Sequence, residues 1–152
     1  MNGIAIALES PRQPEVAQLI QELDAYQESL YPPESNHLLD IDALATPSIR
    51  FFVARCDGVV VGCGALRLDA SGYGEIKRMF VRPDARGTGL GRLILGRLEQ
   101  EARHEGLGCV RLETGIHQAA ARKVYRAAGY VEREPFGDYG LDPLSVFMEK
   151  QL

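Results

Sequence analysis

Three features of this chain could do chemistry together: a glycine-rich bend, a tyrosine and two glutamates. The bend reads Arg86-Gly87-Thr88-Gly89-Leu90-Gly91-Arg92 and follows a Pro83-Asp84 turn. It leads into Leu90, Leu93, Ile94, Leu98 and Ala102, the apolar face of a helix. Glycines there leave little side chain over a helix N-terminus. Bare backbone N–H groups can then point at an anion, and the helix dipole adds a positive field. The bend is therefore read as a phosphate holder. The tyrosine is Tyr125, on the apolar face of a later helix, and the glutamates are Glu75 and Glu113, each on a strand.

Two phosphate motifs fail on their residues. A P-loop needs Gly-Lys-Ser/Thr, but Arg92 and Leu93 follow Gly91, so no hydroxyl is present for Mg²⁺. A dinucleotide fingerprint needs G-x-G-x-x-G, and Gly87-Thr88-Gly89 is followed by Leu90-Gly91-Arg92, without the third glycine. The remaining reading is the pyrophosphate of coenzyme A. At this point the chain resembles the GNAT superfamily of acyl-CoA N-acyltransferases, in its bacterial small-molecule type. That family's motif, Arg/Gln-x-x-Gly-x-Gly/Ala, is matched by Arg86, Gly89 and Gly91. The segment Ala121-Arg122-Lys123-Val124-Tyr125-Arg126-Ala127-Ala128-Gly129-Tyr130 is similar to its Ala-x-x-Leu-Tyr-x-x-x-Gly-Phe stretch.

The resemblance implies acetyl-CoA as co-substrate, no metal, and a V-shaped opening between the strand ending at Val81 and the strand at residues 110–114. Pantetheine would pair with the backbone of Met79, Phe80 and Val81 like an added strand. The N–H groups of Gly87, Thr88, Gly89, Leu90, Gly91 and Arg92 would hold the pyrophosphate. Gln118 stands where many members have Asn; it would cap its helix less well and still donate to pantetheine. Lys123, with Arg92, Arg122 and Arg126, would meet the 3′-phosphate or else form a solvated helix face.

An amine attacks a thioester only when neutral, and an alkylammonium has a pKa of about 10.4, so a base is needed. An acid can protonate the leaving thiolate. Tyr125 is the expected acid; its alternative is a core aromatic. Glu75 is the expected base, with Glu113 as rival. Strand alternation puts Glu75, Lys77, Met79 and Val81 on one face, and a carboxylate beside a desolvated acyl site has a raised pKa. The alternative for Glu75 is a surface ion pair with Lys77 or Arg78. The loop at residues 31–37 is the expected acceptor wall, as in proteins of this resemblance, with Tyr31, Glu34, Ser35 and His37 as substrate-binding residues beside Glu113. Glu34 could attract an ammonium, and Arg50 or Arg67 could meet a carboxylate. The expected acceptor is a small-molecule primary amine. Protein Lys or N-terminal acetylation and a non-catalytic CoA-binding sensor stay open, and the presence of both Tyr125 and Glu75 favours an enzyme.

The elements that must position these residues follow from the pattern. Val16, Leu19, Ile20 and Leu23 mark one helix face, opened by a cap at Ser10 with Pro11 and Gln13 in its first turn. Residues 38–44 form a short second helix. Three strands follow, at residues 51–55, 59–68 and 73–81, the first two joined by an Asp57-Gly58 hairpin. That turn sets Cys56 opposite Val59 and Cys63 opposite Phe52. The order β-α-α-β-β-β-α-β-α-β-β points to an α/β fold: a mixed, mostly antiparallel sheet with helices on both faces, as in GNAT proteins. Residues 1–152 are read as a single N-acetyltransferase domain.

A net charge of −4 argues against nucleic-acid or membrane partners. No run approaches about 18 apolar residues, and no basic stretch precedes an apolar one at the N-terminus. The three cysteines have no C-x-x-C spacing, which fits core packing and a cytoplasmic location. His104 and His117 show no metal spacing. Dimerisation is common among proteins of this resemblance, with the C-terminal strand as a pairing edge.

Overall fold

The computed structural model describes residues 3–35 and 40–152. Its strands are β1 (Ile4–Leu8), β2 (Ile49–Cys56), β3 (Val59–Leu68), β4 (Tyr73–Val81), β5 (Cys109–Gly115), β6 (Val131–Arg133) and β7 (Ser145–Gln151). The helices are α1 (Pro14–Leu30), α2 (Ile41–Leu44), α3 (Leu90–His104) and α4 (Ala119–Ala127). Among these residues the strands form one sheet in the order β1-β2-β3-β4-β5-β7-β6. Only β4 and β5 run parallel; every other neighbouring pair is antiparallel. The expected fold is the one found, with helices on both faces. α3 covers a core of Leu66, Ile76, Leu112 and Met148, while α1 and α2 cover Phe51, Val53, Ala65 and Phe80. Among the described residues no helix is long and apolar enough to cross a membrane.

The apolar face of α1 is as the pattern predicts: Val16, Leu19, Ile20 and Leu23 are all buried. Its start differs. Gln13 is the N-cap, without a side-chain capping bond, and Pro14 takes the first turn, where its missing N–H costs nothing. On α3, Leu93 is 49% exposed and Leu95 is buried in its place. Helical periodicity allows either shoulder of the Ile94–Leu98 stripe, and packing selects one. The expected pairing edge at the C-terminus is filled, because β7 lies between β5 and β6.

Two bulges change the strand parity. In β2–β3 the register shifts after Ala54, so Cys63 faces Val53 rather than Phe52. In β3–β4, Cys63 pairs with Phe80 but Ala65 pairs with Lys77, so two residues, Arg78 and Met79, oppose Gly64 alone. Arg78 sits there at φ 54. Lys77 and Arg78 consequently point to the same side, toward Tyr139 and toward Asp24 of α1. Met79 and Val81 pack on the opposite side, with the Ile76 core. Glu75 and Lys77 therefore do not share a face with Met79 and Val81, contrary to simple alternation.

β3 lets α3 approach through glycines. A Cβ on Gly64 would meet Ile94 Cγ2 at 2.9 Å and Leu98 Cδ1 at 3.1 Å. Gly64→Val is expected to destabilise the fold by about 1–3 kcal/mol through overpacking. Gly96, on the exposed side of α3 with nothing within 4 Å of its would-be Cβ, gives the opposite sign: Gly96→Ala should stabilise by about 0.4–1 kcal/mol. Urea midpoints of the two variants measure both effects.

Candidate active site

The site is a gap in the sheet. β5 pairs with β7 along its whole length, from Cys109 to Gly115. β4 follows β5 only from Tyr73↔Cys109 to Ile76↔Leu112. Beyond that point the bulge bends β4 away, still paired to β3, and the two parallel strands splay. The V-shaped opening implied by the resemblance is present. The edge of β4 at Met79, Phe80 and Val81 forms one wall of a groove of about 450 Å³, and α4 forms the other through Ala121, Val124 and Tyr125.

The glycine bend closes one end of this groove. Gly87 (φ 76) and Gly89 (φ 82) take left-handed conformations that side chains resist. The first backbone bond of α3 runs from the Leu93 N–H to the Gly89 carbonyl, 3.1 Å. The N–H groups of Leu90, Gly91 and Arg92 thus open the helix without intrahelical acceptors. Gly91 faces the groove: a Cβ there would lie 3.7 Å from Met79 Cε and 3.9 Å from Val81 Cγ2. Arg86, Arg92 and Lys123 also line it. Arg86 is anchored by its Nε to the Val81 carbonyl, 3.0 Å, and lies over the Tyr26 and Phe80 rings. Helix N-terminus, bare glycine backbone and three cations form a donor set that fits a diphosphate. Thr88 does not line the groove; its hydroxyl donates back to the Ala85 carbonyl, 2.7 Å. Arg122 and Arg126 turn elsewhere, to the Ile116 carbonyl and to Glu132.

A second, smaller cavity of about 70 Å³ lies on the α1 side of the splay. Leu23, Met79, Gln118 and Tyr125 belong to both cavities, so they mark the junction. Tyr125 is 6% exposed, with its hydroxyl 3.8 Å from Met79 Sδ. Burial, and secondarily the charge of Glu113, push its pKa above the usual phenol value. Gln118 is the N-cap residue of α4 but makes no cap bond with its side chain. Its Oε1 accepts from the Gly115 N–H at 2.9 Å.

The expected acceptor wall is only partly in place. Tyr31 and Ser35 line the small cavity, whereas Glu34 is exposed and does not. His37 lies outside the described residues. Tyr31, the C-cap of α1, reaches across the splay: its hydroxyl accepts from the His117 N–H (3.1 Å) and donates to Gln118 Oε1 (3.4 Å), and its ring stacks on His117. Gly115 makes this reach sterically feasible, since a Cβ on it would fall 1.6 Å from the Tyr31 hydroxyl. The roles of Gly115 and His117 have no local sequence signal.

The two glutamates part company. Glu113 lines the small cavity and accepts from the Ser145 hydroxyl at 2.7 Å. Glu75 is 2% exposed and lines neither cavity. One of its oxygens accepts two bonds from Arg67, at 3.1 and 3.0 Å. The other accepts from the Tyr139 hydroxyl at 2.6 Å and lies 3.2 Å from the Lys77 ammonium. The alternative read from sequence, an ion pair with Lys77, is present, but buried rather than at the surface. Arg67 is taken by Asp69 and Glu75, and Arg50 by Glu101 and Glu105, so neither lines the cavity. Tyr139 does line it, from a loop the pattern left undifferentiated; its only signal is an aromatic pair, Phe136 and Tyr139, in a polar stretch. Cys63 and Cys109 are packing residues, buried and outside any disulfide, and burial pushes the Cys63 thiol up to about 12.

The profile of the acetyltransferase (GNAT) family matches residues 16–130. A protein of Azospirillum brasilense named IAA acetyltransferase is 58% identical over the whole of both chains. A solved structure from Klebsiella pneumoniae, assigned to the acyl-CoA N-acyltransferases, superposes with a TM-score of 0.83 at 40% identity, covering 98% of this chain and 97% of that one. The PaiA N-acetyltransferase of Thermoplasma acidophilum, solved with coenzyme A, has the same fold at a TM-score of 0.73 and 18% identity, covering 98% and 99%.

The Tyr31–Gly115 contact should behave as a coupled pair. Gly115→Ala is expected to cost about 1–3 kcal/mol in the wild-type background, and much less in a Tyr31→Ala background, where the clashing ring is gone. Equal costs in both backgrounds, read from urea unfolding, would sink the contact.

Proposed function

The chain belongs to the acetyltransferase (GNAT) family, and from that premise we propose that it transfers an acetyl group from acetyl-CoA to the primary amine of a small molecule, by direct attack within a ternary complex. The observation that carries this reading is the junction at Tyr125. A groove that ends on a helix N-terminus and three cations meets a small polar cavity at four shared residues, among them the buried Tyr125. The cavity's size of about 70 Å³ favours a small acceptor over a protein tail.

When bound, acetyl-CoA supplies the thioester. The backbone of Gly87, Gly89, Leu90, Gly91 and Arg92 holds its diphosphate, with the side chains of Arg86, Arg92 and Lys123 adding charge. The unpartnered edge of β4 at Met79, Phe80 and Val81 receives pantetheine as an added strand and polarises the thioester carbonyl. Gln118 supports pantetheine from the opposite wall. Tyr125 gives its proton to the departing sulfur. Because its pKa is raised, it remains a protonated acid over the working range of pH. Glu113, inside the acceptor cavity, steadies the incoming ammonium, together with Tyr31 and Ser35.

Gly91→Asp separates cofactor binding from folding. An Asp in the first turn of α3 favours the helix by about 0.3–1 kcal/mol. The same carboxylate opposes the diphosphate by several kcal/mol, roughly a 100-fold or greater loss of affinity. Calorimetry with acetyl-CoA and thermal melting should therefore move in opposite directions. Tyr125→Phe should lower kcat by about 10²–10⁴-fold with little change in acetyl-CoA affinity. Thiol release over a panel of small amines measures this, and full turnover in Tyr125→Phe would reduce the residue to packing.

A further inference from the structure

Glu75 has a carboxylate but no access to the acceptor; Tyr139 has access and touches Glu75. We propose that Tyr139 is a proton relay, carrying the acceptor's ammonium proton from the small cavity to Glu75 beneath its wall. This rests on the reading above that the acceptor amine occupies that cavity.

The two oxygens of Glu75 are divided in use. Oε1 is fixed by the two Arg67 bonds, and Arg67 is itself steadied by Asp69 at 2.9 Å. Oε2 meets Tyr139 and Lys77. A phenol can accept and donate at once, and here the hydroxyl accepts from Lys77 while donating to Oε2. The ring cannot swing freely, because it packs edge-on against Phe136 (5.2 Å) and Phe147 (5.3 Å). The hydroxyl is thereby held between the cavity and the buried carboxylate. Burial and the charge of Glu75 raise the phenol's pKa, so at rest it is protonated and passes its own proton only as it takes another. Lys77 adds the drive. It lines the same cavity, and a second ammonium brought beside it is acidified by like charge.

The proton count closes. The acceptor ammonium gives one proton to Tyr139 Oη as the Tyr139 proton moves to Glu75 Oε2. The neutral nitrogen bonds to the acetyl carbon, and the carbon–sulfur bond breaks. Sulfur takes the Tyr125 proton, and the remaining excess proton on nitrogen restores Tyr125. Glu75 later returns its proton to water along the same path, so one proton is released per turnover.

The test is the pH dependence of kcat for wild type, Tyr139→Phe, Glu75→Gln, their double variant and Glu113→Gln, using the best amine of the panel. Two groups in series should give equal losses of about 100-fold, and the double variant should be no worse than either single one. Both single variants should lose the acidic limb of the profile, while acetyl-CoA affinity by calorimetry stays at the wild-type value. Glu113→Gln should keep that limb. Tyr139→Phe leaves the Glu75–Lys77 ion pair intact, so it decides the matter even where Glu75→Gln fails to fold. Wild-type turnover and an unchanged limb in folded Tyr139→Phe would overturn the relay alone, as would multiplicative losses in the double variant. A wild type that binds acetyl-CoA but releases no thiol with any amine would overturn the transfer reading, and the relay with it.

Discussion

One backbone event makes this site: the bulge at Arg78. It puts a non-glycine residue at φ 54, a conformation that costs about 1–3 kcal/mol where it is not compensated. The surroundings supply the compensation. The Arg78 guanidinium pairs with Asp24 of α1, and its carbonyl accepts from the buried Cys63 thiol at 3.2 Å. The extra residue ends the parallel ladder after Ile76↔Leu112 and leaves the β4 edge open. A regular β4 would continue along β5, and both cavities would be filled by strand pairing. Helix α1 is thus more than a cover for the sheet, since its Asp24 holds the distortion that opens the site.

The bulge also explains what could and could not be read from residue order. Periodicity finds the α1 face at Val16, Leu19, Ile20 and Leu23 because a helix surface is a local property. The glycine bend is equally legible, since Gly87 and Gly89 need left-handed backbone and three glycines over a helix start leave few other uses. Parity beyond a bulge is not legible. Nothing about Lys77-Arg78-Met79 announces that two of its residues oppose one, so alternation predicts for Glu75 and Met79 a common face that they do not share. Tyr139, Gly115 and His117 fail for a different reason. Their roles depend on partners far along the chain, such as Tyr31 against Gly115. Aromatic or glycine residues in a polar loop carry no local mark of such contacts.

Charge is arranged differently in the two halves of the site. Around the acceptor cavity, ions occur in matched groups: Arg78 with Asp24, and Arg67 and Lys77 with Asp69 and Glu75. Removing one member of such a group leaves a desolvated charge, which is far costlier than the net worth of the intact group. These side chains are therefore pinned, and the cavity has fixed walls before any acceptor arrives. Around the cofactor groove, positive charge gathers with backbone dipoles instead. Arg86, Arg92 and Lys123 are exposed at its rim, where an incoming anion can replace solvent.

This contrast resolves an apparent conflict between the chain's net charge of −4 and a ligand rich in phosphate. Exposed charges separated by more than about 8–10 Å are largely screened at physiological salt, so the total charge says little about one end of one groove. What a diphosphate meets there is the α3 dipole, several N–H groups and three cations. The phosphate binding proposed at the rim and the proton transfer proposed at the buried wall fall to different residues. Tyr125 is where the two cavities meet, since it lines both and is buried; under the proposed transfer that burial keeps solvent from the thioester.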